Sequence, residues 1–364
     1  MIKGVSSYSA CLLIILLLSA CSSSAPEVKR RFFFPPAPAE PKIEYVQGYF
    51  SDHDLQAEKN SFFTEYVLGQ TRPHAMFSAP VDVASDGKGR VFVADSTARQ
   101  VFVLDLENHT YRVLSSAIKS GGLQRSFGLP FSVTVTDDGR LYIADVVAKS
   151  VDVFDEQEKY LFSIGDSELV RPTAVAVDTQ HKVIYVLDTA MHRLMLFDLQ
   201  GKRLGTLGER GNEPGQFNYP TDVDVDDQGH IYVLDSLNAR VQVFDETGAF
   251  LRMFGERGTA EGSFEIPKNL AVSNTGQVYV TDALAHKLVI FSTEGELLLR
   301  IGGKSVVKKG ISPGGFYLPR GVDIDPAGGL WVADSLNRIV HRFQFLTPQY
   351  LSENPLSESV LQAQ

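Results

Sequence analysis

Cysteine is the first thing missing from the body of this 364-residue chain: its two copies, Cys11 and Cys21, both fall within the first 21 residues. Downstream there is no disulfide, thiolate zinc site or thiol nucleophile to consider. Basic runs are scarce too, with nothing longer than a few residues, as at Arg30-Arg31 and Lys308-Lys309, and the formal net charge is −10. A chain so acidic lacks the clustered cations that phosphate backbones demand, which argues against nucleic acid as a partner. No segment after residue 20 is apolar for long enough to span a bilayer. The body shows no helical periodicity, and no Gly-rich phosphate loop, nucleophile elbow or haem-attachment motif occurs. What remains, at 44% hydrophobic and 21% charged residues, is an ordinary globular composition.

The N-terminus reads as an export signal. Lys3 precedes an apolar stretch from Ala10 to Leu18, the length of a signal-peptide core. It ends in Leu18-Ser19-Ala20-Cys21, which resembles the bacterial lipobox. The resemblance implies cleavage before Cys21, lipidation of its sulfur, and a mature charge of −11 once Lys3 is gone. Several acyl chains on one residue, at about 0.8 kcal/mol per buried methylene, hold a protein stably on a membrane. Ser22, rather than an Asp, points to the outer membrane under familiar sorting rules. Residues 21–60 are expected to form a tether, stiffened by Pro26, Pro35, Pro36, Pro38 and Pro41. Inside it Phe32-Phe33-Phe34 is read as a patch lying on lipid or on the protein's own side, or as a docking peptide.

The rest of the chain repeats. Pro80, Pro130, Pro172, Pro220, Pro267 and Pro319 open six similar units, and 15 or 16 residues later come Asp95, Asp145, Asp188, Asp235, Asp282 and Asp334. From Pro80 to Pro319 is 239 residues over five steps, about 48 per unit, the period of a four-stranded propeller blade. Within a unit, apolar residues alternate, as in Thr221-Asp-Val-Asp-Val, then a Gly turn leads to a β-branched and aromatic run such as Ile231-Tyr-Val. The third strand ends nine residues after the repeat Asp, at Leu104, Phe154, Phe197, Phe244, Phe291 or Phe343. The sequence therefore predicts an all-β, six-bladed propeller over residues 61–347, with a tail from 348 to 364. Blade six lacks an outer strand, and Phe62–Gly69 is expected to supply it and close the ring, removing free sheet edges.

The recurring Pro, hydrophobic-Asp, basic, Val-Phe-Asp pattern resembles the NHL repeat family over roughly residues 60 to 346. It is strongest near Pro220 and Pro267, and departs where Leu104 and Leu169 replace the usual Phe. NHL propellers serve very different tasks, so the resemblance implies a fold and no activity. The proline-rich, aromatic lead-in also resembles that of propeller lipoproteins associated with envelope multihaem cytochromes, which implies an envelope protein as partner. RNA binding, known for some animal NHL proteins, conflicts with the acidic charge and with export.

Three sets of residues are chemically candidate. The six repeat aspartates, each followed four or five residues later by a basic or imidazole group, are expected to accept backbone N–H bonds and pair across a turn. Six copies of one arrangement indicate scaffolding. His192 and His286 occupy equivalent positions, the pattern of zinc-dependent lyases of the resembled family, but no third His matches and zinc needs three or four ligands. His53, His74, His109, His181, His230 and His341 are expected on surfaces or turns. Two residues after each proline stand Asp82, Ser132, Ala174, Asp222, Asn269 and Gly321, which vary between blades at the channel mouth, with Lys268 and Arg320 beside them. Asp82, Asp222 and Asn269 are either a solvated polar ring or, as in similar hydrolases, a Ca²⁺ site; no other cofactor is expected. The loops Ser115–Ser126, Gly208–Gln216, Gly255–Ser263 and Lys304–Gly315 share one face, where recognition is expected. The leading expectation is a tethered binding platform for an envelope protein or glycan; the alternative is a Ca²⁺-dependent hydrolase or lyase at the channel mouth.

Overall fold

The computed structural model describes residues 31–36, 39–55, 75–114, 116–118, 124–165, 168–306 and 312–356. The chain divides into two units, Met1–Arg31 and Phe32–Gln364, and the propeller lies in the second.

Among the described residues six antiparallel blade sheets follow one another, their innermost strands at Pro80–Ser85, Pro130–Val135, Pro172–Asp178, Asp222–Val225, Pro267–Val272 and Pro319–Ile324, and a separate two-stranded hairpin pairs Ser116–Ile118 with Gln124–Ser126. The first five run outward in chain order; blade four, for instance, continues through Ile231–Asp235, Arg240–Phe244 and Phe250–Phe254. The second strands are buried on both faces, as along Val91–Asp95 and Ile231–Asp235. That explains their continuous rather than alternating apolar character: each is covered by a blade on either side. The core is accordingly split into six clusters, one per pair of neighbouring blades. The Phe three residues before the proline, such as Phe264, is fully buried between blades. A Cβ on Gly255, whose φ is +87°, would meet the Phe264 ring at 2.5 Å, so this glycine serves both the backbone and the packing.

Ring closure differs from the sequence expectation. The outer strand of blade six is Ile43–Tyr49, antiparallel to Ile339–Phe345 with Ile43 opposite Phe345 and Tyr49 opposite Val340. Phe32–Phe34 adds a fifth strand outside it. The propeller thus draws on residues assigned to the tether, and Phe62–Gly69 lies outside the described residues. Aromatics at alternate positions explain the choice: Tyr45 and Phe343 meet edge to face at 5.2 Å, and Phe34 lies 6.0 Å from Phe343. Phe34 therefore packs on the propeller's own side. At the seam between blades six and one, Tyr49 stacks near Trp331 and Leu55 joins Phe77 and Val83 in one cluster. The Ser335 hydroxyl donates to the Pro80 carbonyl at 2.5 Å across this seam, as Ser96, Thr189 and Ser236 do to Pro130, Pro220 and Pro267.

His341 is a second correction. It is fully buried, its Nε2 3.5 Å from Asp334 and its Nδ1 3.3 Å from the Tyr45 hydroxyl. As the middle of a three-group polar link between blade six and its closing strand, it is held by tertiary contacts that no local pattern announces. Beyond the ring, Thr347 caps a short helix, Pro348–Glu353.

Candidate binding site at the channel mouth

The repeat aspartates are built into the frame. Asp188, fully buried, accepts N–H bonds from Val170 at 2.6 Å, Arg171 at 3.0 Å, and Ala190 and Met191 at 3.1 Å. Each carboxylate thus ties the chain arriving from the previous blade to the turn after its own second strand. Across that turn, the expected pairing with a basic side chain occurs, among the described residues, only between Asp235 and Arg240, at 2.9 Å. The residue four after each Asp instead takes a left-handed conformation: Arg99, Lys149, His192, Ala239, His286 and Arg338 all have φ between 54° and 59°. The two histidines receive backbone donors from the following blade, the N–H of Tyr219 onto His192 Nδ1 at 3.1 Å and that of Leu318 onto His286 Nδ1 at 3.2 Å. Their Nδ1 atoms are spent on the frame, and the described residues hold no cluster of three metal-ligating side chains.

The innermost strands present a bare edge to the channel, and polar side chains occupy it. Two tiers arise, two and four residues after the proline, because side chains alternate with period two. In the first, Asp82 Oδ2 accepts the Val133 N–H of blade two at 3.0 Å, Asp222 Oδ2 the Leu270 N–H of blade five at 2.7 Å, and Asn269 Oδ1 the Val322 N–H of blade six at 2.6 Å. The second tier repeats the device: Asp224 accepts from Val272 at 2.8 Å and Asp323 from Ser85 at 2.6 Å. Asp224 and Asp323 were not singled out from sequence, although extending the same alternation by two residues reaches both. Gly321 closes the first tier. A Cβ there would stand 2.5 Å from Asp82 Cα and 2.9 Å from Val83 N, so the blade six–blade one approach admits only glycine.

Asp82, Asp222 and Asn269 converge on a cavity of about 70 Å³, also lined by Ser132, Asp224 and Asp323. Burial pushes the Asp82 carboxyl up to about 7, against the pull of its hydrogen bonds and of Arg320. Burial and the Asp82 charge raise Asp222 well above the usual range, and burial raises Asp224 to about 7 and Asp323 to about 8. The donor set does not fit calcium well. The Val322 N–H fixes the orientation of the Asn269 amide, whose carbonyl oxygen is thereby used, and the NH₂ faces Asp82 Oδ1 at 3.3 Å. A hard cation needs several oxygens, and one of the three candidates turns a donor toward it.

Above this level the surroundings change sign. The residue after the proline is bulged out of the ladder in blades one, two, three, five and six, and bulges re-aim side chains. Arg320, at such a position, stacks its guanidinium 4.9 Å above the Phe131 ring of blade two. Lys268 occupies the same position in blade five, and Arg171 directly precedes Pro172 of blade three. At the other end of the channel the turns between first and second strands bring Asp86, Asp137, Asp178, Asp226 and Asp325 around an opening of about 230 Å³. Arg171, Lys268 and Arg320 thus stand at one end of the channel and these five carboxylates at the other.

The cationic end carries the loops. On that face the residue two after the repeat Asp is an exposed aliphatic in four blades, Val147, Leu237, Leu284 and Leu336 at 43–65% exposure, joined by Val170 and Tyr219. The tongues Gly208–Gln216 and Gly255–Ser263 are pinned by parallel bridges from Arg210 to Phe217 and Arg257 to Phe264. Cys21 and Lys308-Lys309 lie outside the described residues.

A family profile for the NHL repeat matches residues 217–244, and one for a 6-bladed beta-propeller matches residues 127–208. No curated protein matches. Among solved structures, an auxiliary nutrient binding protein from Bacteroides thetaiotaomicron is similar with a TM-score of 0.57 at 11% identity, over 74% of this chain and 70% of that one. A gluconolactonase from Xanthomonas campestris gives 0.56 at 13%, over 74% and 86%. A catalytically inactive virginiamycin B lyase from Staphylococcus aureus, solved with quinupristin, gives 0.52 at 14%, over 73% and 94%. Identities this low speak for the fold alone.

Proposed function

Given that the chain is an NHL-repeat six-bladed β-propeller, we propose that it is a membrane-anchored lipoprotein that serves as a binding platform for an envelope protein or glycan, its loop-rich face turned to the partner. The ring of exposed aliphatics around the channel mouth carries this reading: Val147, Leu237, Leu284 and Leu336 come from four blades yet share one position, one face and one character. Grouped apolar residues that no fold requires mark interaction surfaces, and loops on a stiff frame are where recognition resides. The solved structures of like fold include a nutrient binding protein and enzymes alike, so the fold does not choose between them. What favours the binding reading is that the channel carboxylates are engaged in stitching one blade to the next.

The test is capture from native membranes by the lipidated chain, with the variant Leu237→Ser/Leu284→Ser/Leu336→Ser beside a control carrying Leu204→Ser/Leu251→Ser/Leu298→Ser on the outer strands. All six leucines are 43–56% exposed. The partner should be lost with the first variant and kept with the second. The reverse would sink the assignment.

A further inference from the structure

The cations at the channel mouth differ from those that build the fold. Arg240 donates to Asp235, to the Glu213 carbonyl at 3.0 Å and to the Gln216 carbonyl at 3.1 Å. Lys287 donates to the carbonyl of Ser263 at 2.6 Å. Both are satisfied, as buried charges have to be. Arg320 and Lys268, half-buried at the mouth, have no ion pair or side-chain hydrogen bond among the described residues, and the same holds for the exposed Arg171. Among the described residues Arg320 stacks on the Phe131 ring, an arrangement that does not use its N–H edge, and Asp82 lies within its electrostatic reach. Alongside them Thr221, at the same register position in blade four, has a buried hydroxyl oxygen without a partner among the described residues. Burial lowers the Lys268 ammonium, and Arg320 and then Arg171 lower it further; burial lowers Arg320, with Arg171 adding to the effect and Asp82 opposing it. Three like charges from blades three, five and six are therefore held within each other's field.

We propose that this mouth binds an oxyanion group, carboxylate or phosphate, on the ligand or partner that docks on the loop-rich face, with Arg320 and Lys268 as direct donors and Arg171 completing the cationic rim. The proposal rests on the platform reading for which face is used, and adds the chemistry of what is recognised. The anion stops at the rim, because the next level down is the Asp82–Asp222 pair, while the far opening is lined by carboxylates and excludes it. Guanidinium and ammonium donors within one another's electrostatic field suit a planar or tetrahedral oxyanion. The Phe131 ring holds Arg320 in place beforehand, which limits the ordering that binding requires.

The experiment titrates inorganic phosphate and, separately, acetate into the full chain at ionic strength held constant with chloride, reading Tm by the fluorescence of Trp331. Wild type should show a saturable rise in Tm with at least one anion, and which one identifies the headgroup. Lys268→Gln and Arg320→Gln should each weaken the apparent affinity tenfold or more. They should also raise Tm in chloride buffer without phosphate or acetate, because each relieves repulsion; a residue with a purely structural role would lower it. Arg203→Gln, on an outer strand, should alter neither. No saturable response in wild type, or an unchanged response in Lys268→Gln and Arg171→Gln should Arg320→Gln fail to fold, overturns the proposal. Partner capture by the leucine variants is read separately, so a failed anion titration leaves the platform reading standing on its own test.

Discussion

Replacing Asp82 by Asn should change how the stability of this propeller depends on pH, and should do so with a crossing of the two curves. Asp82 is 5% exposed, and burial lifts its carboxyl from 3.8 to about 7. Between those values the folded chain keeps a proton that the unfolded chain has lost. Stability is then full below about pH 4 and declines as pH rises to about 7. About three pH units at about 1.4 kcal/mol each set a ceiling of about 4 kcal/mol for the loss. Asp222, raised in part by the Asp82 charge, titrates with it as a pair, so the decline belongs to both. Asn keeps an oxygen to accept the Val133 N–H at 3.0 Å and never ionises; its NH₂ gives up the long contact from Asn269 and weakens the bonds that the carboxylate accepts from Ser132 and Val83, a loss of about 1 kcal/mol. Urea unfolding of the purified protein should therefore find Asp82→Asn about 1 kcal/mol less stable than wild type at about pH 3.5 and up to about 3 kcal/mol more stable at about pH 8.5. An equal deficit at both pH values would refute the reasoning, since it would show a carboxylate that is stabilised by its surroundings rather than desolvated by them.

Other expectations follow from the same contacts. Asp188→Ala strands four amides that now share one carboxylate and should cost about 3–5 kcal/mol in chemical unfolding, with Asp188→Asn losing less. Gly321→Ala drives a methyl into the Asp82 backbone and should lower stability by about 1–3 kcal/mol, whereas Ala174→Gly, at the same position in blade three, should cost under about 1 kcal/mol; thermal melts compare the two. Cys21→Ser should move the protein from the membrane to the soluble fraction, and sedimentation that survives a carbonate wash would count against the lipid anchor.

Much of this architecture was legible in one dimension because repetition amplifies weak signals. A single Thr-Asp-Val-Asp-Val is an ambiguous strand, but the same spacing six times from Pro80 to Pro319 leaves few folds. The repeat aspartates were recognisable as scaffold for the same reason, and the structure supplies the amides they hold. Closure was misplaced because two N-terminal segments, around Ile43 and around Phe62, both have strand-like character. What decides is the fit of Tyr45 and Phe34 against Phe343 and His341, which have no trace in local sequence. His341 was read as a surface residue for the same cause. At the channel, Asp82, Asp222 and Asn269 were picked out by their variability between blades, whereas their use as stitches to the next blade appeared only once the strands stood side by side.

The amino-acid order by itself determined the period, the number of blades, the turn chemistry and the alternation that buries each sheet on its neighbours, because these depend on residues close along the chain. Only the tertiary structure decided which segment seals the ring, which carboxylates lose their water, and that Arg171, Lys268 and Arg320 meet at one opening while the aspartates gather at the other. Those outcomes depend on groups up to 296 residues apart in sequence coming into contact or within electrostatic reach, and desolvation and charge repulsion have no meaning until the space between them is enclosed.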